Sequence, residues 1–239
     1  MRRGWLAGSP AKTLAFGFGS ALLFFALFAQ SRAVAAAPMR LLYSVHHAIF
    51  GNIGTYSNTI EKKDGATLVF THAHFRVRIL GIPLGGEEGR HVEEWAKNRL
   101  IYFHGITYKG SKRFVVLGKA VGNKFVIHSS LGTITAPASV HPANPWSANI
   151  LDSRTMMRVD TGKLEKVRVE PGKPVSAKIE GETVPCRKYE LIGNTKYWVW
   201  LDAQGVPVEF KVDDNTGMVT FTLSHCTGCS LDDRYASRR

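Results

Sequence analysis

Residues 195–212 place a turn sequence between two runs of aromatic and β-branched residues, and this segment constrains the fold most strongly. The turn is Asp-Ala-Gln-Gly, in which Gly205 can adopt the left-handed conformation of a β-bulge. The two runs are therefore predicted to pair as an antiparallel hairpin. Pairing Asp202 with Val206 places four apolar side chains on one enclosed face: Trp198, Trp200, Val208 and Phe210. Alternate residues such as Val199 are predicted to face partly towards solvent.

Short strands separated by turn residues fill most of the remaining chain. Asp64-Gly65, Lys97-Asn98 and Gly122-Asn123 each lie between two strand-like runs. Connections this short join sequential antiparallel neighbours, and no long helical period occurs. About a dozen strands in one sheet cannot stay flat, because strand twist accumulates. The predicted fold is all-β, an antiparallel meander that forms a strongly curled sheet or half-barrel.

Glycine and proline mark the places where strands are predicted to stop. The strand that begins at Ala66 is predicted to end at the glycines of residues 81–86. The prolines of residues 137–145 exclude a central strand there, since each proline removes a ladder donor. Residues 150–158 fit either a short helix or a strand.

A curled sheet has an inner face, and bulky apolar residues from several segments are expected to point into it. They enclose either a packed core or a ligand. The candidates for a ligand cavity are Trp95, Phe114, Phe125, Trp146, Trp198, Trp200, Val208 and Phe210.

Residues 1–37 have the pattern of an export signal. A basic start precedes an apolar segment over residues 14–29, and small residues at alternate positions in 33–37 suit a signal peptidase. The early Arg-Arg pair also fits a twin-arginine signal, although Met1 stands where Ser or Thr is usual. Twin-arginine export, general secretion and an uncleaved anchor are all compatible with this pattern. The expected location is periplasmic or secreted, with cleavage near Ala36.

The rest of the chain is predicted to be one antiparallel β domain over residues 38–224, followed by a Cys- and Arg-containing tail over residues 225–239. With 239 residues, 44% of them hydrophobic, the chain can bury one sizeable core. Its formal net charge of +12 allows weak electrostatic association with an anionic membrane. The charges are scattered and no nucleic-acid-binding motif accompanies them, so nucleic acid is not an expected partner.

A series of short motifs occurs in a fixed order along the chain. They are Tyr43-x-Val45, Ile53-Gly54, residues 75–82, Glu94-Trp95, Arg99-Leu100, Gly132, Ala136-Pro137, Trp146, Asp160-Thr-Gly162, Tyr189-x-Leu191 and Trp200-x-Asp202-x-x-Gly205. Residues 39–224 thereby resemble an uncharacterised exported bacterial family, domain of unknown function 6134. The resemblance implies an exported antiparallel sheet, similar to the curled sheet of periplasmic lipoprotein carriers, with lipid binding as a fold-level analogy. The chain departs from the family at Asn98, where glycine is common, and in its His-Cys-rich tail.

Three cysteines lie beyond the leader, and in an oxidising compartment two of them are expected to pair. Cys226-Thr-Gly-Cys229 has the spacing of a redox or metal motif, but it lacks the strand-helix context that lowers a thioredoxin-type thiol pKa. A structural disulfide is therefore expected, and its pairing stays open. A bridge from Cys186 to either tail cysteine would close a loop of about forty residues, worth about 4 kcal/mol in the chain-entropy model.

The histidines and tail cysteines also raise a metal hypothesis. His225, Cys226 and Cys229 could supply three soft ligands, and His72 and His74 alternate on one face of a strand. Without a carboxylate or third ligand nearby, solvent-facing polar positions explain the strand histidines better. No cofactor is expected.

Catalytic motifs are not found in the sequence. It contains neither Gly-x-Ser-x-Gly, nor His-Glu-x-x-His, nor a phosphate-binding glycine loop. Glu93 and Glu94 point to opposite faces of a strand, so they cannot act together. With Glu87 and Glu88 they are predicted to line a solvated edge. A protein that is not an enzyme is expected.

The sequence therefore favours an exported cell-envelope protein that binds or carries an apolar or amphipathic ligand such as a lipid. A structural scaffold with an envelope protein as partner is the first alternative. A metal or redox accessory protein that uses the His-Cys-x-x-Cys tail is the second. Membrane association is expected only through an uncleaved leader or weak electrostatics.

Overall fold

The structure, a computed structural model, describes residues 37–79, 82–179, 181–214 and 216–229. The predicted export signal lies outside these residues except for its last position. The strands are β1 Met39–His47, β2 Gly51–Lys63, β3 Ala66–Ile79, β4 Ile82–Ala96, β5 Arg99–Lys109, β6 Lys112–Val121, β7 Lys124–Ser129, β8 Gly132–Pro137, β9 His141–Pro142, β10 Thr155–Met157, β11 Leu164–Lys166, β12 Arg168–Val169, β13 Lys173–Ile179, β14 Glu182–Ile192, β15 Lys196–Leu201, β16 Pro207–Asp214 and β17 Gly217–Thr227. A 3-10 helix spans Ala148–Asp152. None of the helical segments in the described ranges is long and apolar enough to cross a membrane.

Fourteen of the strands form one antiparallel sheet in nearly sequential order. The spatial order is β12-β14-β15-β16-β17-β1-β2-β3-β4-β5-β6-β7-β8, and β13 also pairs with β14. The β17–β1 pair brings the C-terminal hairpins beside the N-terminal ones. Within the described ranges the two ends of this order do not pair with each other, so the sheet is a half-barrel with free edges. The predicted all-β, curled meander is confirmed.

Tight turns set this order. Asp64 and Gly65 have φ of 51° and 77° between β2 and β3, as a two-residue hairpin turn with two left-handed residues requires. Lys97 and Asn98 have φ of 49° and 61° between β4 and β5. Asn98 thus occupies a left-handed position that glycine adopts more easily.

The strand that begins at Ala66 ends at Ile79, as predicted, but the next strand begins within residues 81–86. β4 begins at Ile82 and pairs with β3 along its whole length, with an irregularity at Val77/Arg78 in the register. Glycine keeps both backbone hydrogen-bonding groups, so a glycine-rich segment can continue a ladder that a neighbouring strand supports. β8 is a further strand that the sequence pattern did not indicate.

The chain between β8 and β12 forms an insert, residues 138–167, on the concave side of the sheet. β9 and β10 pair in parallel and β10 and β11 antiparallel, which makes a small three-stranded sheet. Ser147 caps the 3-10 helix, since its Oγ accepts a hydrogen bond from the backbone nitrogen of Asn149. Val140, Ile150 and Met157 are each at most 2% exposed. The insert therefore adds apolar core on the side that the sheet alone would leave open.

Alternate residues of the strands form the core. In β1, Leu41, Tyr43 and Val45 are fully buried while the residues between them are exposed, which is the pattern of a sheet with one buried face. The Tyr43 hydroxyl donates to the backbone oxygen of Pro207 at 2.9 Å, and its ring packs edge-on against Phe210. Aromatic packing thus joins the first strand to β16.

The predicted turn between β15 and β16 is present. The backbone nitrogen of Asp202 donates to Val206 O at 3.0 Å, and the Asp202 carboxylate accepts from the nitrogens of Gln204 and Val206 at 2.9 and 2.8 Å. Gly205 has φ of +79°, and a Cβ there would lie 3.0 Å from the Cβ of Ala148. Glycine is required both by the backbone and by the close approach of the insert.

The predicted register of this hairpin is wrong. A bulge beside Trp200 pairs that residue with Glu209, and it pairs Val199 with Phe210. One extra residue in a strand reverses which side chains face inward, because the side-chain period is two. Val199 and Phe210 are buried. Trp200 lies on the opposite face, where the centre of its ring is 5.0 Å from the Nζ of Lys188. The two tryptophans therefore do not share a face with Val208 and Phe210.

Candidate functional site: an apolar cavity inside the half-barrel

A cavity of about 590 Å³ lies between the concave face of the sheet and the insert. This volume is in the range of small-molecule pockets, about 300–1,000 Å³. Its wall is largely apolar and includes Ile53, Phe75, Met156, Val199, Phe210 and Phe221. The half-barrel is therefore hollow at this place and is not filled by its own side chains.

Small side chains in three adjacent strands leave this space. Ala73 of β3 pairs with Gly89 of β4, which pairs in turn with Thr107 of β5. All three line the cavity. A Cβ at position 89 would stand 3.6 Å from both neighbouring side chains, so a larger residue there would occupy the space itself. The cavity is thus encoded by small residues in register.

Ion pairs join the insert to the sheet at the exposed rim of the cavity. Lys109 Nζ lies 2.8 Å from Asp160 Oδ2 and 3.2 Å from Glu87 Oε2. Arg158 donates to both Asp160 oxygens, at 3.0 and 3.1 Å. Burial alone would raise the pKa of Asp160, but the hydrogen bonds from Arg158 and Lys109 outweigh it and hold that pKa well below its usual range. The rim therefore contains two cations and two carboxylates that neutralise each other.

Tyr197 makes a second link between sheet and insert. Its hydroxyl donates to Glu165 Oε1 at 3.0 Å, and the backbone nitrogen of Thr195 donates to Glu165 Oε2 at 3.2 Å. Burial and then the nearby Glu165 charge raise the pKa of Tyr197 above its usual range. Tyr197 also lines the cavity, so this part of the wall is fixed by hydrogen bonds.

A buried polar network forms the floor of the cavity around Glu93, which is fully buried. Its Oε2 accepts from the indole nitrogens of Trp95 and Trp146 at 2.8 and 3.1 Å. Its Oε1 accepts from Asn144 Nδ2 at 2.7 Å and lies 3.3 Å from His91 Nε2. A buried carboxylate is costly unless it is hydrogen-bonded, and donors from β4 and the insert meet that requirement here.

Asn144 extends the network across the sheet. Its Oδ1 accepts from the Tyr56 hydroxyl at 2.7 Å, and its Nδ2 donates to Thr71 Oγ1 at 3.1 Å. Thr71 Oγ1 donates in turn to Asn58 Oδ1 at 2.6 Å. Burial, with the charge of Glu93 next in size, raises the pKa of Tyr56 well above its usual value. Tyr56 lines the cavity, so the network reaches the cavity wall at this residue as well as at His91.

The predicted solvated edge is wrong for Glu93. His91, Glu93 and Trp95 alternate along β4 and share its inner face, whereas Glu94 points the other way. The sequence contained a signal for this inward direction. If Trp95 faces inward, Glu93 and His91, two and four positions before it, face the same side. Asn144 gave no such signal, since its partners come from distant segments.

The predicted cavity residues lie in several places. Phe210 borders the cavity, and so does the residue Trp198, whose side chain shares the outer face of the hairpin with Trp200. Trp95 and Trp146 stand behind its floor as donors to Glu93. The others do not line it: Phe125 and Val208 are fully buried, Phe114 is half-buried on β6, and Trp200 lies on the outer face of the hairpin. Small residues, rather than the large aromatic ones, create the space.

The disulfide lies within the tail and joins the two cysteines of the Cys-x-x-Cys motif. Cys226 and Cys229 form a disulfide, and Cys186 is a buried free thiol whose pKa is raised by that burial. β17 runs through Thr227, which pairs with Arg40 of β1, so the strand continues past the predicted end of the domain at Ser224. Both sulfurs of the Cys-x-x-Cys motif are thus bonded to each other at the end of a strand.

The histidines do not assemble into a ligand set. His72 and His74 lie on one face of β3, on the side opposite the buried Ala73, as predicted. His72 Nε2 is 3.6 Å from Glu88 Oε1, and His225 is exposed in β17. In the part of the chain that the structure describes, no group of three His, Cys, Asp or Glu side chains is placed to hold a metal.

The fold and the cavity define a class: an all-β half-barrel whose concave side is covered by an insert. The chain belongs to the family of the domain of unknown function DUF6134, whose model matches residues 51–224. Its fold is similar to that of a β-barrel-like protein of the domain of unknown function DUF1849 from Brucella abortus, with a TM-score of 0.57 and 11% sequence identity. That similarity covers 82% of this chain and 99% of the other. No curated protein matches the chain.

Proposed function

We propose that the protein is a non-enzymatic binding or carrier module for an apolar or amphipathic small molecule such as a lipid. The observation that supports this most is the cavity of about 590 Å³ with an apolar wall. Burial of apolar surface contributes about 25 cal/mol per Å², so a hydrocarbon chain in this space would gain affinity with few polar contacts.

The insert supports the same function because it is held in place before any ligand binds. The Lys109–Asp160 ion pair, the Asn144–Glu93 hydrogen bond and the Tyr197–Glu165 hydrogen bond fix it to β5, β4 and β15. A preformed site avoids the cost of ordering loops on binding. Leu84 lines the cavity and is 61% exposed, so the apolar wall reaches the protein surface at the rim. A ligand enters there in this proposal.

The proposed site of action is outside the cytoplasm. The leader pattern of residues 1–37 supports export, and the Cys226–Cys229 disulfide is of the kind that persists in oxidising compartments. N-terminal sequencing of the exported product tests this, with a start near Ala36 expected. Recovery of a membrane-bound form that retains Met1 would favour an uncleaved anchor.

A thermal-shift titration tests the binding function. Delipidated protein is titrated with dodecanoic acid and, separately, with a short-chain phosphatidylcholine. A molecule that binds only the native state stabilises it by mass action, by about 2.7 kcal/mol at a hundred times Kd. The melting temperature of the wild type should therefore rise with ligand concentration.

Two matched substitutions locate the effect. Ala73→Leu adds three carbons to the wall where small residues leave the space, so it should reduce the ligand-induced rise. Ala203→Leu makes the same change at an exposed turn position and should leave the rise unchanged. A flat response of the wild type to both lipids would contradict the carrier function and favour the scaffold.

A further inference from the structure

The hairpin of β3 and β4 extends past both of its neighbouring strands. β2 pairs with β3 only as far as Phe75, and β5 pairs with β4 only from Glu87 onward. Residues 76–79 and 82–86, here called the arm, therefore pair as strands only with each other. Four residues of extended strand span about 13 Å, so the arm projects from the end of the sheet at which the rim of the cavity lies.

A bulge turns one apolar side chain of the arm towards solvent. The register of β3 and β4 is irregular at Val77/Arg78, and Leu84 is the extra residue there without a partner on β3. A bulge re-aims the side chain of such an extra residue. Leu84 is 61% exposed and also lines the cavity, as does Val77. The arm therefore continues the apolar cavity wall out to the protein surface.

A second exposed apolar side chain lies at the same end of the sheet. Successive turns of a meander alternate between its two ends, so the β1–β2 and β3–β4 turns lie at one end and the β2–β3 turn at the other. Ile49 in the β1–β2 turn is 71% exposed, and the adjacent Phe50 lines the cavity. Exposed apolar side chains that are grouped at the rim of an apolar cavity, rather than scattered singly, mark an interaction site.

Cations without acidic partners accompany this apolar surface. Arg76 and Arg78 are exposed on the arm, and two further cations, Lys112 and Arg113, are exposed beside the β5–β6 turn at the same end. None of the four forms an ion pair with any residue that the structure describes. The two carboxylates that follow the arm in β4 are already paired with other cations. Exposed cations beside exposed apolar side chains are complementary to an anionic lipid bilayer, which attracts the charges and buries the apolar groups.

We propose that the arm docks the protein on an anionic lipid bilayer, with the rim of the cavity facing the membrane. Leu84 and Ile49 enter the interface between headgroups and acyl chains. Arg76 and Arg78 bind lipid phosphates, whose geometry matches the guanidinium group. A second copy of the chain fits the arm less well, since edge-to-edge pairing of two β3 strands places arginines beside arginines. This interaction goes beyond the proposed binding function and requires no ligand in the cavity.

Vesicle co-sedimentation tests the role of the arginines. The protein purified after export is mixed with vesicles of phosphatidylcholine, with or without an equal part of phosphatidylglycerol, and should bind the anionic vesicles. One cation near an anionic surface contributes about 5-fold in affinity, so Arg76→Gln/Arg78→Gln should bind about 30-fold more weakly. Lys62→Gln/Lys63→Gln removes the same charge beside the β2–β3 turn, at the opposite end of the sheet, and should bind like the wild type.

Leu84→Asn tests the apolar contact in the same assay. Burial of a leucine side chain contributes about 1.5–3 kcal/mol, so this variant should bind anionic vesicles at least about 10-fold more weakly. Val121→Asn is the control, because Val121 is 59% exposed beside the β6–β7 turn at the opposite end. It should leave vesicle binding unchanged.

Paramagnetic relaxation in the wild type gives a readout that needs no variant. With a nitroxide-labelled lipid in small bicelles of the same anionic composition, the amide signals of Leu84 and Ile49 should weaken and those of Lys62 and Val121 should not. Equal binding to neutral and anionic vesicles, equal losses in the arm variants and their controls, or weakening at the opposite end would overturn the docking. A concentration-dependent dimer that the double arginine variant removes would assign the arm to a second copy instead. The dodecanoic acid titration tests the cavity separately, so absent docking with retained titration overturns the docking alone.

Discussion

Glu93→Gln tests whether a buried carboxylate holds the insert on the sheet. The change keeps the shape of the side chain and replaces one acceptor oxygen with an amide that donates. In the Oε2 position the amide would face the indole N–H groups of Trp95 and Trp146. In the Oε1 position it would face Asn144 Nδ2, which is also a donor. Either orientation leaves at least two buried donors without an acceptor, the N–H groups of the new amide included.

The expected magnitude follows from this count. Each buried polar group left unpaired costs about 1–3 kcal/mol, so Glu93→Gln should lower the free energy of unfolding by about 2–6 kcal/mol. Glu94→Gln is the matched control, since the next residue of β4 points to the opposite face and lies outside the network. Surface substitutions usually change stability by less than about 0.5 kcal/mol.

Urea unfolding followed by tryptophan fluorescence measures both variants, and Trp95 and Trp146 report directly on the network. The midpoint of Glu93→Gln should fall clearly below that of Glu94→Gln at a similar m value. Equal midpoints for the two variants and the wild type would show that Glu93 lies at a solvated edge and would refute the network.

Further predictions concern the hairpin register, the rim and the cysteines. In urea unfolding, Phe210→Ala should lower the free energy of unfolding by about 3–5 kcal/mol, because a buried aromatic side chain is lost. Trp200→Ala should lower it clearly less. The reverse order would support the register predicted from sequence. Because the folded pKa of Asp160 is depressed, its ion pairs stabilise the protein fully above the unfolded pKa of about 3.9, and this contribution is lost as pH falls through the folded value. Unfolding free energies should therefore fall below about pH 4 by up to about 1.4 kcal/mol per pH unit from this group, and a wild-type slope equal to that of Asp160→Asn would contradict it. Maleimide in urea without reductant should label Cys186 alone, and labelling of either tail cysteine would contradict the pairing. Replacing the short Cys226–Cys229 bridge should lower the free energy of unfolding by about 2 kcal/mol in the chain-entropy model.

The meander could be predicted because local turn chemistry decides it. Asp64-Gly65 and Lys97-Asn98 lie between apolar runs, and each pair adopts the left-handed conformation that a tight hairpin needs. The register of β15 and β16 could not be predicted with the same rule. The bulge beside Trp200 shifts the pairing by one residue, and its position is set by packing against the rest of the sheet. Because side chains alternate between the two faces of a strand, this shift by one residue exchanges the faces on which they lie.

The site could be predicted only in part. The inward direction of Glu93 follows from that of Trp95, so the sequence contained half of the network. Its other half comes from Asn144 and Trp146 in the insert, about fifty residues further along the chain, and no local pattern links the two segments. The cavity itself depends on small residues meeting across three strands, which becomes visible only when the register is known.

Native mass spectrometry of the protein, purified without detergent from the cell envelope, shows directly whether the cavity holds a ligand. A noncovalent small molecule is expected on the wild type and on Ala203→Leu, with much lower occupancy on Ala73→Leu, whose larger side chain occupies cavity space. Its mass and fragmentation should identify a hydrocarbon chain. Polypeptide mass alone for the wild type, or equal occupancy of Ala73→Leu and Ala203→Leu, would contradict a ligand in this cavity.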